Sequence, residues 1–253
     1  MKIFLKIIII TLLCLSTNAR EKGETEITTD DGIEVYQDEK YYLLKENVVI
    51  ESDNFVLSAD NVKINFENNL HDITYLKAKG NVKFNSDEFR IKGSGENLGL
   101  EIKVEKIEVQ GINSKLITED IEMFSDGFIK VNNLNGKFSL KGENSKLINQ
   151  NVLIIGESID GLFSNNKDTK EISILNVEDE KISYVKNNDS EMYAKKINFN
   201  NEKSIIELKD NVTIIRNGEK VTGDYGTLDT KNNSYKIKSY DSTKVKVIIQ
   251  NDE

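Results

Sequence analysis

Beyond Ile33 the apolar residues recur at every second position in short runs. Val48/Ile50, Val62/Ile64/Phe66, Val82/Phe84, Phe89/Ile91, Leu98/Leu100/Ile102/Val104, Phe138/Leu140, Ile172/Ile174, Ile197/Phe199, Val212/Ile214, Tyr235/Ile237 and Val245/Val247 all alternate in this way. A period of two sends successive side chains to opposite faces of an extended chain. Each run therefore reads as a strand with one dry and one wet face. The runs are interrupted by Ser52-Asp53-Asn54, Asn68-Asn69, Asn85-Ser86-Asp87, Asn165-Asn166, Asn187-Asn188-Asp189, Asn200-Asn201 and Asn232-Asn233. Such residues tolerate the left-handed backbone that tight turns require. The breaks fall about every 8–12 residues, the spacing of an all-β protein. No stretch after the first twenty residues carries a helical period long enough to predict a helix.

The strands repeat. Ala59-Asp60-Asn61-Val62-Lys63-Ile64-Asn65-Phe66 leads through Asn68-Asn69 to Gly80-Asn81-Val82-Lys83-Phe84, then Gly93 and Leu98. Ala194-Lys195-Lys196-Ile197-Asn198-Phe199 leads through Asn200-Asn201 to Asp210-Asn211-Val212-Thr213-Ile214, then Gly223 and Leu228. Asn81, Gly93 and Leu98 are each displaced by 130 positions from their counterparts Asn211, Gly223 and Leu228. Thr118 to Phe124 is a weaker third echo. In this reading Asn-Val opens a strand in each unit. One unit cannot cover its own apolar face, so copies must stack over a continuous core. The expected architecture is an elongated all-β structure, not a compact sandwich of two unlike sheets.

The N-terminus reads as a secretory leader. Lys2 and Lys6 precede the apolar run Ile7 to Leu15, and Thr17-Asn18-Ala19 supplies small residues for cleavage. The run falls short of the ~20 residues a spanning helix needs. Two alternatives stand beside this: a lipoprotein signal at Cys14, against which Leu13 argues, and an uncleaved anchor. Cleavage after Ala19 makes residues 1–19 the leader and removes Lys2 and Lys6, which takes the formal charge of -9 to -11. So acidic a chain lacks the basic stripe that phosphate backbones require. One Cys and one His exclude an intrachain disulfide and a zinc cluster, and no cofactor is expected.

Three functions suit such a chain. The first is a lipid-carrying groove lined by Val48, Ile50, Phe55, Leu57, Val62, Ile64, Phe66, Val82, Phe84, Phe89, Ile91, Ile197, Phe199, Val212 and Ile214. An acyl chain of ~12 carbons carries roughly 10 kcal/mol of transfer free energy, at about 0.8 per methylene, so only an apolar slot could carry it through water. The same residues also read as ordinary core. The second is a β-solenoid enzyme acting on polysaccharide, which needs two carboxylates in a cleft. Asp60, Asp120 and Asp224 are candidates, with a plainer role as turn residues. His71 reads as solvent-exposed. The third, a passive surface repeat, predicts more copies and an anchor. Phosphate loops, nucleophile elbows and metal spacings are missing from the sequence.

Lys45-Glu46-Asn47-Val48-Val49-Ile50-Glu51-Ser52 followed by Phe55 to Phe66 resembles the opening of the LptA family of periplasmic lipopolysaccharide-transport proteins, also called OstA-like. Asp30-Asp31-Gly32-Ile33-Glu34-Val35 resembles that family's first strand. Gly80-Asn81-Val82-Lys83-Phe84 and Asp210-Asn211-Val212-Thr213-Ile214 with Thr222-Gly223-Asp224 resemble further units. The likeness covers roughly residues 27–98 and 180–240, with 99–180 only loosely similar.

The resemblance implies a non-catalytic, elongated, twisted, open all-β jellyroll of stacked antiparallel strands, two repeats in series, whose apolar interior carries the acyl chains of lipopolysaccharide across the periplasm. It also implies inner-membrane LptC-like and outer-membrane LptD-like partners, and head-to-tail assembly through edge strands. Here the candidate edges are Ile33–Tyr36 and Thr243–Gln250. The expected division is one roll over 20–120 and a second over 121–253, continuous with the first. An LptC-like anchored component of the same pathway is the alternative within the resemblance. Lys77, Lys79, Lys83 or Lys92 would handle headgroups, unless the sugar portion stays in solvent.

Overall fold

A computed structural model describes residues 21–68, 72–164, 171–187, 190–240 and 244–249. The expected leader, 1–19, and His71 lie outside the described residues. Among those described there is no helix, and none long and apolar enough to cross a membrane.

The first strands are β1 (Glu26–Thr28) and β2 (Gly32–Tyr36). Four long strands follow: β3 (Tyr41–Glu51), β4 (Phe55–Phe66), β5 (Ile73–Ser86) and β6 (Ile91–Glu101). The middle holds short strands: β7 (Lys106–Gln110), β8 (Ser114–Ile117), β9 (Ile121–Ser125), β10 (Phe128–Asn132), β11 (Lys137–Lys141), β12 (Lys146–Asn149), β13 (Val152–Ile155) and β14 (Ser158–Phe163). Long strands then return as β15 (Ile172–Asn187), β16 (Ser190–Asn200), β17 (Ile205–Arg216) and β18 (Glu219–Asp229). The last are β19 (Ser234–Lys238) and β20 (Lys246–Ile249).

The pairings resolve this antiparallel sheet into two leaves. One runs β2-β3-β4-β5-β6-β7-β10-β11-β14-β15-β16-β17-β18-β19. The other runs β1-β3-β4-β5-β6-β8-β9-β12-β13-β15-β16-β17-β18-β20. Each long strand contributes one half to each leaf. Along β3, Tyr41–Lys45 pair in the first leaf and Val48–Glu51 in the second. The chain is thus a sheet folded lengthwise along a spine where strands pass between leaves. The twisted, open jellyroll that the resemblance implies is the architecture found.

The spine is built from residues in the left-handed conformation. Glu46 and Asn47 (φ 60° and 47°) oppose the single residue Asp60. Gly80 and Asn81 (75° and 48°) oppose Glu96, and Asp210 and Asn211 (63° and 57°) oppose Asp224. Two residues against one make a β-bulge, which bends a strand and re-aims its side chains. Asn serves here because its short amide tolerates positive φ. Each expected strand opening at Asn-Val is instead the bend inside one longer strand.

The middle segment uses the same plan with broken strands. β7/β8, β9/β10, β11/β12 and β13/β14 each interrupt one strand's course at the spine. Positive φ at Gly111, Asn113, Gly142 and Asn144 marks two of the breaks. Residues 99–180 therefore continue both leaves, tied to β6 on one side and β15 on the other.

Candidate functional site

The dry faces of the two leaves meet in one apolar interior that runs through the whole stack. Within a single cluster lie Val48, Leu57, Val62, Val82, Ile197, Val212 and Ile214, none more than 1% exposed. Ile50, Ile64, Phe84 and Ile91 join it, also buried. Phe66 is buried beside Tyr42, with ring centroids 5.2 Å apart. Phe55 and Phe199 are partly buried and pack against the cluster. Fourteen of the fifteen expected lining residues thus share one interior. Phe89 does not. It sits in the β5–β6 turn, 46% exposed, because the strand ends at Ser86 and resumes at Ile91. Ile102 and Val104 fail likewise: they occupy the β6–β7 turn and are exposed.

The interior extends further than expected. Leu116, Ile121, Met123, Ile129, Leu140, Leu147, Ile154 and Ile159 are fully buried and join the N-terminal part of the seam to the C-terminal part. Most of these belong to four- or five-residue strands, where alternation has too few cycles to stand out. A second signal was available. Gly111-Ile112-Asn113-Ser114 and Gly142-Glu143-Asn144-Ser145 are two copies of one corner. Each serine is buried and donates its hydroxyl to the glycine carbonyl at 2.7 Å.

Carboxylates clasp the spine from outside. Asp60 accepts from Asn81 Nδ2 at 3.0 and 3.1 Å, and Asp30 from Asn47 Nδ2 at 2.6 Å. Asp126 accepts from Asn144 Nδ2 at 2.6 Å and from the Asn113 amide at 2.8 Å, and these bonds hold its pKa below the ordinary carboxylate value. Asp224 accepts from the Tyr240 amide at 2.8 Å. Asp60 and Asp224 therefore act as bend acceptors at separate points of the spine, and Asp120 lies in the β8–β9 turn. Among the described residues no group of three or more His, Cys, Asp or Glu could hold a metal ion.

Opposite the spine the leaves end in two rows of turns, the lips of the interior. Neighbouring turns of one lip are tied by Lys103–Glu67 (2.6 Å) and by Asn133 Nδ2 to Glu105 (3.1 Å). On the other lip Arg90 pairs with Glu119 (2.9 Å). The lips differ in chemistry. The first presents Tyr42, Phe66, Leu100, Phe163, Phe199 and Tyr235 inward. The second mixes apolar Phe55, Ile91 and Ile121 with buried Ser86, Asn149 and Ser190, then carries Arg216 and Glu219.

Near the C-terminal end the lips touch. Arg216 donates from Nη1 to the Asn233 carbonyl at 3.4 Å and from Nη2 to Asn233 Oδ1. Tyr235 donates to Glu219 at 3.2 Å, and burial first, then this bond, raises its pKa. The lysines proposed for headgroups lie elsewhere. Lys77 and Lys79 are exposed on the outer face of one leaf, and Lys83 and Lys92 on that of the other.

The family described as "LptA/(LptD N-terminal domain) LPS transport protein" matches the chain twice, over residues 26–137 and 130–234. The crystal structure of LptH, the LptA homologous periplasmic component of the conserved lipopolysaccharide transport device from Pseudomonas aeruginosa, is similar over 52% of this chain and 95% of LptH. The identity is 13% and the TM-score 0.42. A comparison with curated proteins finds no match.

Proposed function

The chain belongs to the LptA/LptD N-terminal-domain family of LPS transport proteins, and from that premise we propose that it is a non-catalytic lipid conduit. It carries the acyl chains of lipopolysaccharide between its leaves, in the periplasm, from the inner to the outer membrane. The observation that carries the reading is the unbroken apolar interior, which runs through both matched segments and the strands that join them.

In the structure the interior is packed shut, with its lining 0–7% exposed except at Phe55 and Phe199. Loading therefore means parting the lips. Side chain–side chain contacts then give way to side chain–acyl contacts of the same dispersive kind, so burial of the lipid offsets the opening. The spine is the natural pivot, since the bulges already separate the two halves of each long strand. The sugar portion stays at the lips, in solvent.

The ends of the stack present unpaired edges. The outer edges of β1 and β2 at one end, and of β19 and β20 at the other, have no further strand beside them among the described residues. Ile33 and Val35 on β2 and Val247 to Ile249 on β20 are exposed there. Such edges suit strand addition by inner-membrane LptC-like and outer-membrane LptD-like partners, or by a second copy. A roll over 20–120 followed by one over 121–253 fits this serial arrangement.

The test is photocrosslinking in cells that make lipopolysaccharide. A photoreactive residue replaces Phe66, Phe84 or Phe199, with outward Lys63 and Lys83 as controls. Lipopolysaccharide adducts from the phenylalanine positions alone are expected. Equal labelling at both sets, or none at either, would make these phenylalanines sealed core and refute the conduit.

A further inference from the structure

Arg216 is the cation that the conduit reading leaves without a task. It stands at the end of β17 on the inner face, two positions beyond buried Ile214, where the other strands place apolar or small polar groups. Its guanidinium bonds only the neutral oxygens of Asn233. Its Nε is buried with no hydrogen-bond partner. Among the described residues no carboxylate forms an ion pair with it, although the chain carries 43 Asp and Glu. A partly buried guanidinium held by neutral groups is an uncommitted charge, and its planar fork of donors matches tetrahedral oxyanions.

The space around it has the matching character. A 160 Å³ cavity opens between the lips at this point. That is several times the roughly 30 Å³ a water takes in the liquid. Asn187, Ser190, Thr230, Asn233 and Ser234 line it with amide and hydroxyl groups, together with the Asp229 carboxylate, over an apolar floor of Ile206 and Leu228. Two acids stand at the site, Asp229 in its wall and Glu219 opposite Arg216 in the β17–β18 register, and each carboxylate is turned to other donors. Asp229 accepts from the amides of Lys231 and Asn232 and from Asn232 Nδ2, and Glu219 accepts from Tyr235. The floor is continuous with the buried interior, since Ile206 and Leu228 belong to its cluster.

We propose that this cavity is an oxyanion site, in which Arg216 holds the phosphate monoester of an amphiphile whose chains lie in the interior beneath it. The proposal rests on the conduit reading for the lipid and on Arg216 alone for the anion. An incoming phosphate takes Nε and one Nη along a single edge of the guanidinium, and that Nη leaves Asn233. The clasp between the lips then becomes a contact to the cargo.

Calorimetric titration of the full chain separates the sources of the anion. The probes are dodecyl phosphate, neutral dodecyl maltoside, both below their micelle concentrations, and inorganic phosphate. Arg216→Gln should weaken dodecyl phosphate roughly tenfold to a hundredfold, the range for one charge-assisted contact, and leave dodecyl maltoside unchanged. Arg216→Lys should fall between. Asn233→Ala, which frees the guanidinium, should bind dodecyl phosphate as well as wild type or better. Far-UV circular dichroism checks that each variant is folded.

Equal affinity of wild type and Arg216→Gln for dodecyl phosphate overturns the site and leaves the conduit standing. Loss in Asn233→Ala equal to that in Arg216→Gln makes Arg216 a structural clasp and also overturns it. Arg216-dependent binding of inorganic phosphate without binding of either amphiphile upholds the oxyanion site as one for free phosphate, and the conduit fails. Binding of none of the three probes overturns both.

Discussion

Replacing Gly80 by Ala tests how the spine is held. Gly80 has φ +75°, and a Cβ there would stand 2.1 Å from Asp60 Oδ2 and 2.9 Å from Asp60 Cβ. The left-handed backbone alone does not demand glycine, because Glu46 and Asp210 adopt it with full side chains at the corresponding places. What singles out Gly80 is the Asp60 carboxylate lying over it. Alanine adds about 1–2 kcal/mol for the backbone. It also drives the carboxylate away from Asn81, a charge-assisted bond worth about 1 kcal/mol at this exposed position. The expected loss is roughly 2–3 kcal/mol. Asp60→Gly removes all three clashing atoms, so in that background Gly80→Ala should cost only the backbone share. The resulting coupling is about 1 kcal/mol in a double-mutant cycle. Urea unfolding followed by circular dichroism, with constant slope, reads each corner of the cycle. Equal costs in both backgrounds would refute the assignment of Gly80 to the carboxylate contact.

Leu147→Ala, at a fully buried position of the middle segment, should lose roughly 2–5 kcal/mol, whereas Phe89→Ala should stay within about 0.5; reversal of that order in urea unfolding would contradict the assigned interior. Asp126 has a depressed pKa in the fold, so its contribution is present above the ordinary carboxylate value near 4 and is lost as pH falls through the lower folded value. The melting temperatures of wild type and Asp126→Asn should therefore differ at pH 6 and converge as pH is lowered below about 4; a gap that widens in acid would reverse the sign. Gly161→Ala should destabilise strongly, because its Cβ would meet the Phe138 ring at 2.3 Å and the Ile174 carbonyl at 2.5 Å. Wild-type melting in that variant would show that the ring moves aside freely.

Alternation made the long strands legible, because β4 and β17 offer enough cycles for Val62/Ile64/Phe66 and Val212/Ile214 to stand out. The same rule misplaced Phe89, Ile102 and Val104. Each extends an apolar period beyond the paired residues into a turn, Phe89 ahead of Ile91 and Ile102 and Val104 beyond Glu101, and period alone carries no start or stop signal. The bends were visible as Asn-Val but were assigned to strand openings. A left-handed pair inside a strand and one at its start look alike in sequence, and only the two-against-one register separates them. The middle segment was obscured for another reason. Its corners are Gly-Ile-Asn-Ser and Gly-Glu-Asn-Ser, which preserve the geometry with different residues from Gly-Asn-Val. Arg216 and Glu219 carry no such signal, since nothing local says that a strand end lies at the mouth of the interior.

Because every long strand serves both leaves, a hairpin can be inserted anywhere along the stack without changing its cross-section. Each strand adds about 4.8 Å along the stacking direction, so one hairpin lengthens the molecule by about 10 Å. Reach is then set by gene length in discrete steps, and duplication of a hairpin-coding segment extends the span with neither new partners nor a new fold. A chain built this way is a ruler graduated in strands, and two such chains of unequal length would differ in the length of their interior before they differ in its cross-section.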